Sequence, residues 1–437
     1  MGWIKKIFIF LLGLIAVLAI SLFVFKSFRS SKAEKIKVPA ESYSILKINI
    51  DNLALDLLKN SLNNYSEYYS GKGDSLESSK KTKLLNIGVN IPSSLIMFSL
   101  SDTSYTYYSV LDISDRGKVQ VFLKDDLKLI QDSTFQGTSG IQQLYSKKHL
   151  EVLLGESKMV ISVGPKSSPK TLFSLLESNQ ADWILANSIG EGVSEISKVD
   201  ISYVDRKNNW AKVDFWNGKF VINGFFKSSL FKFPTNPIQL EFSSDNILSL
   251  ELNTDLSLIL KDKQEELAKW KLPIDSVYKY VGNYVSVQLK DDMVTESDTI
   301  VTYDYDDNFE MVEKKEVQKI EVPDLSFQIM ASPHLLGYLP DKMFYKFSKL
   351  YSNGMIKLST TADFETAEVF TPANNVLLFY YIKKPSAGKY LAWLPNYNKI
   401  NSGIIKGKAI SQDEISVSGE FHLENQDLNS FYQIFVK

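Results

Sequence analysis

The chain of 437 residues has no cysteine, three histidines and only three arginines, Arg29, Arg116 and Arg206. The lack of cysteine excludes disulfides, thiol catalysis, thiolate zinc sites and a lipid-modified N-terminal cysteine. Bidentate contacts to phosphates and bases rely heavily on arginine, and nearly all of the 49 basic residues are lysines. With a net charge of -2, the sequence therefore argues against nucleic-acid binding.

Motifs of enzymes and cofactor sites are also missing or defective. The segment "GPKSSPKTLFSLLE", which starts at Gly164, resembles a phosphate-binding loop, but Pro169 replaces the second glycine. Proline has no N–H to offer a phosphate. The alternative is structural: Ser168 caps a helix that begins at Pro169. The histidines, at positions 149, 334 and 422, have no metal-ligand spacing. We therefore expect no cofactor, and enzymatic activity is the less favoured hypothesis.

The acidic segment "YDYDDNFE", residues 303–310, contains the weak candidates for a metal site, Asp304, Asp306 and Asp307. Carboxylate oxygens at this density could bind calcium. The segment lacks the glycine and the terminal glutamate spacing of an EF-hand loop. An Asp- and Asn-rich turn at the tip of a hairpin is the alternative, and it is the favoured one.

A long hydrophobic run lies near the N-terminus. Residues 7–25 carry no charge, and as a helix they would span about 28 Å, close to the thickness of a bilayer core. A cleaved signal peptide is the alternative, but the run is long for one and no A-x-A site follows it. We predict an uncleaved transmembrane helix within an anchor and basic linker at residues 1–37.

The orientation of this anchor is open to two interpretations. Residues 26–37 hold five of the seven basic residues of the segment 1–37, which by the positive-inside rule favours a cytoplasmic domain. A short basic N-terminus followed at once by an apolar run is the usual layout of a bacterial signal anchor. We favour a single-pass protein of the bacterial inner membrane whose large C-terminal domain is periplasmic.

The rest of the chain reads as two related units. "SYSILKINIDNLALDLL", from Ser42, and "NILSLELNTDLSLIL", from Asn246, both describe an alternating strand followed by an apolar helix. Two prolines in residues 231–237 mark a boundary, which gives units at 38–232 and 233–437. The alignment of the halves pairs Ile48 with Leu250, Leu100 with Leu289, Ser114 with Ser332, and Met159 with Val376. It requires one inserted hairpin at about 293–321.

These observations predict an α+β fold: an N-terminal transmembrane helix, then two related β-rich units with antiparallel sheets and packed helices. Asn217-Gly218, between two β-rich segments, is typical of a type I′ hairpin turn. Aromatic residues make up 12% of the chain, and segments such as "LLFYYI" are apolar on both faces. Such segments indicate a core strand or, alternatively, the lining of a groove for lipid or peptide.

The anchor with its linker resembles the start of single-pass envelope proteins from Lys-rich, Bacteroidota-like genomes. The stretch "VPAESYSILKINIDNLALDLL" and its repeat resemble an uncharacterised family of membrane-anchored proteins with a duplicated α+β domain. This resemblance implies location and architecture but no functional residue. The hypothesis is a non-enzymatic binding or scaffold component of an envelope assembly, with other envelope proteins as partners. The alternative is a carrier of lipid or another apolar ligand.

Overall fold

The computed structural model describes residues 29, 31–69, 87–133, 135, 141–165, 168–190, 198–229, 231–235, 237, 246–262, 264–265, 273–305, 311–340, 342, 345–361, 376–385 and 397–436. The chain divides into two compact units, Met1–Phe215 and Trp216–Lys437. The boundary expected from the prolines at 231–237 falls inside the second unit. The reason is that residues 219–227 pair along their whole length with residues 414–422.

Unit 1 is built from short strands. They are β1 (Lys37–Val38), β2 (Ser44–Ile48), β3 (Leu95–Ser99), β4 (Tyr107–Asp112), β5 (Ile130–Gln131), β6 (Gln143–Lys147), β7 (Leu150–Leu154), β8 (Lys158–Val163), β9 (Ile184–Leu185), β10 (Ile201–Asp205) and β11 (Trp210–Trp216). β2 pairs with β3 on one side and with β10 on the other. The antiparallel sheet continues from β3 through β4, β8, β7 and β6 to β5, and from β10 to β11. β1 pairs with β9 separately.

The helices of unit 1 cover both faces of its sheet. They are α1 (Ile50–Asn63), α2 (Tyr65–Tyr69), α3 (Arg116–Val121, followed by a π turn at Phe122–Asp126) and α4 (Pro169–Glu177), with 3-10 turns at Gln180–Asp182 and Ala186–Ser188. Successive residues of β7 separate the two cores, since Leu153 packs with α4 whereas Val152 and Leu154 pack with α3. The Asn49 side chain caps helix α1, since its Oδ1 accepts a hydrogen bond from the Asn52 N–H.

Unit 2 has longer strands around β13. They are β12 (Lys219–Lys227), β13 (Asn246–Asn253), β14 (Val281–Tyr305), β15 (Met311–Ala331), β16 (Ser348–Ser352), β17 (Met355–Ser359), β18 (Val376–Lys383), β19 (Ile400–Ala409) and β20 (Glu414–Leu423). β13 pairs with β14 and β18. From β14 the antiparallel sheet continues through β15 and β17 to β16, and from β18 through β19 and β20 to β12.

The helices of unit 2 are short. They are α5 (Leu256–Asp262), α6 (Ile274–Tyr280) and α7 (Ser430–Phe435), with 3-10 turns at Pro333–Tyr338 and Tyr397–Lys399. Val277 of α6 and Leu335 of the first 3-10 turn pack on Ile356 of β17. The predicted turn at Asn217-Gly218 joins β11 to β12, but only Gly218 has a positive φ, of 68°. A type I′ turn needs a positive φ at both central residues, so the turn type is different.

The two units share one order of strand pairing. In each, a strand and its following helix form the centre (β2 and β13), and that strand pairs with the next strand (β3 and β14) and with a later one (β10 and β18). Further along the sheet, the second strand of a hairpin pairs with the strand that follows: β8 pairs with β4 in unit 1, and β17 pairs with β15 in unit 2. The pairing therefore makes β17 the counterpart of β8, which replaces the sequence alignment of Met159 with Val376.

The predicted α+β class is wrong. The structure is mostly β, with 47% strand, 26% helix and a large antiparallel sheet. A physical reason lies in the hairpin at about 293–321, because it extends β14 to 25 residues and β15 to 21. Within the described residues no helix is long and apolar enough to cross a membrane. The transmembrane helix predicted at 7–25 lies outside the described residues.

Candidate functional site

One face of the unit 2 sheet is apolar at its centre and only partly covered. Leu250 lies directly opposite Val287 on β14 and Tyr380 on β18, and Tyr380 lies opposite Ile405 on β19. Leu250 is 37% exposed although it lies on the central strand. We call this surface the open face; its members are Leu248, Leu250, Leu252, Val285, Val287, Leu378, Tyr380 and Ile405. A continuous apolar surface of this kind binds apolar ligands or protein partners.

The open face follows from the alternation of side chains along each strand. In β13, leucines at 248, 250 and 252 point to the open face, and Ser249, Glu251 and Asn253 point to the other. Helices cover the neighbouring part of the same apolar face, over β15 and β17, where Phe327, Ile356 and Leu358 belong to one core with α6. The open face is the part of this apolar surface that the helices leave half-exposed.

Gly403 lies on the same face of β19 as Ile405, and its lack of a side chain leaves space there. A Cβ on Gly403 would lie 2.2 Å from Cδ1 of Phe421, so no larger residue fits without moving that ring. The space allows Phe421 to stack on Phe220 at a centroid distance of 4.8 Å. This tight packing holds β12, β19 and β20 beside the open face.

The opposite face of β13 is polar and buried. Glu251 is 1% exposed and lies opposite Ser286, which in turn lies opposite Gln328. Hydrogen bonds satisfy part of this layer, since Asn246 Nδ2 donates to Ser249 Oγ at 2.9 Å and Asn253 Nδ2 donates to the Val376 carbonyl at 3.2 Å. Buried polar groups are costly unless they are bonded. The usual pattern, with polar residues outside and apolar residues inside, is thus reversed at the centre of unit 2.

A two-stranded ribbon extends from the sheet of unit 2. β14 and β15 pair from Met293↔Pro323 to Tyr305↔Met311, beyond the last pair of β14 with β13 at Lys290 and the last pair of β15 with β17 at Ser326. At about 3.4 Å per residue, the ribbon is roughly 40 Å long. Val317 on it is 70% exposed. The hairpin predicted at 293–321 falls within this ribbon.

Unit 1 contains a surface cavity of about 320 Å³. Its apolar lining includes Ile96, Phe98 and Trp183. Lys32 and Lys35 from the segment that follows the N-terminal run also line it. An apolar floor with lysines suits a small anionic amphiphile.

Burial shifts the pKa values of several groups in unit 1. Asp200 is 5% exposed, and burial raises the pKa of its carboxyl to about 6. The Phe215 N–H donates to this carboxylate at 2.8 Å and opposes the shift, whereas the nearby Asp214 adds to it. Burial also lowers the pKa of Lys47, on β2. Desolvation by burial is the main cause of both shifts.

The metal candidates lie at the end of the ribbon or outside the described residues. Asp304 lies in β14 opposite Val312, and Asp306 and Asp307 lie outside the described residues. Across the described ranges, no group of three or more His, Asp and Glu side chains is arranged to hold a metal ion.

The histidines and the loop-like motif have separate structural roles. The His149 carbonyl accepts a hydrogen bond from Gly164 N–H at 2.8 Å, the His334 ring lies 5.5 Å from that of Tyr280, and His422 Nε2 lies 2.8 Å from Glu420 Oε1. Helix α4 begins at Pro169, as the structural interpretation of this motif predicted. The Ser168 carbonyl, and not its hydroxyl, accepts hydrogen bonds at the start of the helix.

Sequence reasoning missed the open face and the buried polar layer. The signal was present in "INSGIIKGKA" of β19 and "EISVSGEFHL" of β20, where glycine and apolar residues alternate with polar ones. It was also present in the alternating leucines of β13. Alternation identifies two faces but does not say which one the helices cover, so the exposed face could not be assigned.

Comparisons with known proteins give little. No protein-family model matches the chain, and no curated protein is significantly similar to it. Two solved structures match weakly: crystal form III and crystal form I of TP0453, with TM-scores of 0.22 and identities of 6% and 7%. Both alignments cover 74% of this chain, and they cover 90% and 89% of the other chains. TM-scores this low carry no argument about the fold or function of this protein.

Proposed function

We propose that this protein is a non-enzymatic binding or scaffold component of the bacterial cell envelope. In this proposal the charge-free run 7–25 attaches it to the inner membrane, its C-terminal domain is periplasmic, and its partners are other envelope proteins. The length of the run and the basic residues around it support the attachment. The ribbon of unit 2 is the observation that carries the binding role.

Beyond its base, where the Lys346 N–H donates to Glu296 Oε2 at 3.1 Å, the ribbon pairs with no third strand among the described residues. A two-stranded hairpin without a third strand or a covering helix is at best marginally stable in water. From Met293 to Tyr305 each strand of the ribbon pairs only with the other among the described strands. Val317 also leaves a large apolar side chain exposed. A partner protein that packs against the ribbon would supply the missing contacts.

Removal of the ribbon tests this role. The variant joins Asp291 to Asp324 by a short turn, which keeps the sheet pairs from Leu289↔Leu325 inward. We expect proteins that cross-link to the full chain in cells, identified by mass spectrometry after mild detergent extraction, to be lost from this variant. A matched control is Val317→Thr, which keeps the ribbon.

The same extraction decides against the proposal in two cases. One is an unchanged set of cross-linked proteins after removal of the ribbon. The other is a full-length chain that is recovered only as a monomer.

A second candidate function is the carriage of lipid or another apolar ligand, and the open face favours it. We expect the full chain to raise the fluorescence of N-phenyl-1-naphthylamine, and Leu250→Lys to reduce this binding several-fold, because the charge would lie in the centre of the apolar surface. Ile410→Lys, at an exposed position of unit 2, is the control and should bind as the wild type does. Equal binding by all three proteins would remove this candidate.

The location has its own test. A C-terminal fusion to alkaline phosphatase is active only when exported, and a fusion to green fluorescent protein is fluorescent when it stays in the cytoplasm. Phosphatase activity in the membrane fraction is the expected result. Fluorescence without phosphatase activity would contradict the periplasmic location.

A further inference from the structure

Helices α1 and α2 carry an apolar stripe that faces solvent. Its members are Leu58, Leu62, Tyr65 and Tyr69, each more than half exposed. Within each helix a spacing of four residues places the two members on one side, Leu58 and Leu62 on α1 and Tyr65 and Tyr69 on α2. The Tyr65 and Tyr69 rings lie 4.7 Å apart and extend the stripe into α2. We call this surface the outer stripe.

The chain that leads back to the N-terminal run is fixed on the same side of α1. Arg29 Nε and Nη2 donate to the two oxygens of Asp51 at 2.9 and 3.0 Å. Asp51, Leu55, Leu58 and Leu62 are at positions i, i+4, i+7 and i+11, which is one helical face. Arg29 Nη2 also donates to the Ile91 carbonyl at 3.1 Å. The ion pair thus places Arg29 on the same helical face as the outer stripe, about two turns before Leu58.

Covalent geometry limits the distance between the apolar run and this ion pair. Three residues lie between Phe25, the last residue of the run, and Arg29, which makes four Cα–Cα steps. At no more than about 3.6 Å per residue, they span at most roughly 14 Å. From Asp51 to Leu62 the helix rises by about 16 Å. A membrane in which residues 7–25 are inserted would therefore lie within reach of the outer stripe.

The composition of the helix suits a lipid surface. The interfacial region of a bilayer favours tyrosine and leucine on the inner side of a helix that lies along it. The carboxylate on this face, Asp51, is paired with Arg29. Asp56, two residues before Leu58 and so on the far side of the helix, pairs with Lys59 at 3.4 Å.

We propose that the outer stripe lies in the lipid headgroup region of the membrane to which the N-terminal run is attached. This inference rests on the proposed membrane attachment. The Arg29–Asp51 pair fixes α1 to the segment that follows the N-terminal run, and this contact orients α1 and α2 with the outer stripe toward the lipid. The N-terminal run and the outer stripe then give unit 1 two contacts with one bilayer, and these contacts fix its orientation at the surface.

The absence of cysteine makes the test direct. Leu62→Cys in the full chain is labelled with the polarity-sensitive fluorophore NBD and reconstituted into vesicles of phosphatidylcholine and phosphatidylglycerol. We expect blue-shifted emission and a loss of fluorescence when doxyl-labelled phosphatidylcholine is included. Asp56→Cys on the far side of the same helix is the matched control, and its emission should stay that of a label in water.

Flotation of the vesicles separates failure of this inference from failure of the attachment. A chain that floats but whose Leu62→Cys label is not quenched overturns the inference alone. A blue shift without quenching by the labelled lipid also overturns it, because a protein surface would then cover the stripe. A chain that does not float overturns both the attachment and the inference.

Discussion

Units 1 and 2 have the same strand order, but the central strands turn their apolar side chains to opposite faces of the sheet. In unit 1, Lys47 on the central strand lies opposite Ile96, which belongs to a large apolar cluster. In unit 2, Ser249 occupies the place of Lys47 and lies opposite Gln288. The leucines of β13, at 248, 250 and 252, are instead on the open face. The difference shows that the hydrogen-bond register preserves the topology, whereas the side of the sheet that forms the core is free to change.

Both units bury carboxylates on the central strand or on the strand paired with it, and one of them can be compared by register. Asp200 of unit 1 precedes β10, and its carbonyl accepts a hydrogen bond from the Asn49 N–H at 2.8 Å. In unit 2 the equivalent pair is Glu251 and Phe379, so the acid lies on the central strand. The carboxylate has changed strands while the pairing has stayed the same.

The largest expected effect is a difference in the free energy of unfolding between substitutions at equivalent positions of the two units. Ile96→Ala should lower the free energy of unfolding of unit 1 by about 2–4 kcal/mol, since it removes a side chain that is 8% exposed and packed in the main cluster. Gln288→Ala, at the equivalent place in unit 2, should cost less than about 1 kcal/mol. Guanidinium unfolding followed by circular dichroism measures both. Equal losses would mean that the two faces contribute alike and that the comparison fails.

A smaller effect is expected where unit 2 has glycine and unit 1 has alanine. Gly403 lies opposite Ile382, and its counterpart Ala211 lies opposite Tyr203. Gly403→Ala should destabilise unit 2 by about 1–3 kcal/mol, because the new Cβ would overlap the Phe421 ring.

Thermal unfolding compares Gly403→Ala with Gly337→Ala, whose Cβ would meet no atom within 4 Å. The control should be neutral or slightly stabilising. A Gly403→Ala protein as stable as the control would show that Phe421 moves aside without cost.

The smallest effect concerns pH. The folded-state pKa of Asp200 is about 6 and the unfolded value 3.8, so between these values the folded protein binds more protons than the unfolded chain. Its contribution to stability is therefore present at low pH and decreases as pH rises, by about 1–2 kcal/mol between about pH 4 and pH 6. Asp200→Asn should remove this part of the pH dependence, as measured by urea unfolding across the range.

Asp102→Asn serves as the control, since Asp102 is half-exposed and pairs with Lys207 at 3.6 Å. It should leave the pH profile as in the wild type. If Asp200→Asn also leaves the profile unchanged, burial of Asp200 does not affect its titration.

The sequence determined the local features whose causes are local. Pro169 fixes the start of α4, alternating residues make the β6–β8 meander, and the leucines of β13 define two faces. The cap of α1 was less predictable, because Asn49, Asp51 and Asn52 are all residue types that cap helices, and the structure shows Asn49 in that role. The α+β class failed because short apolar segments are equally compatible with strands and with short helices.

Only the tertiary structure decided which apolar surfaces are covered. The leucines of β13 and those of α1 have the same chemistry, yet Leu53 is buried, whereas Leu62 and Leu250 are exposed. Burial depends on which distant element packs over a residue, and no periodicity within a strand or helix encodes that element. The amino-acid sequence therefore set the faces of strands and helices, and long-range packing decided that the open face and the outer stripe remain accessible.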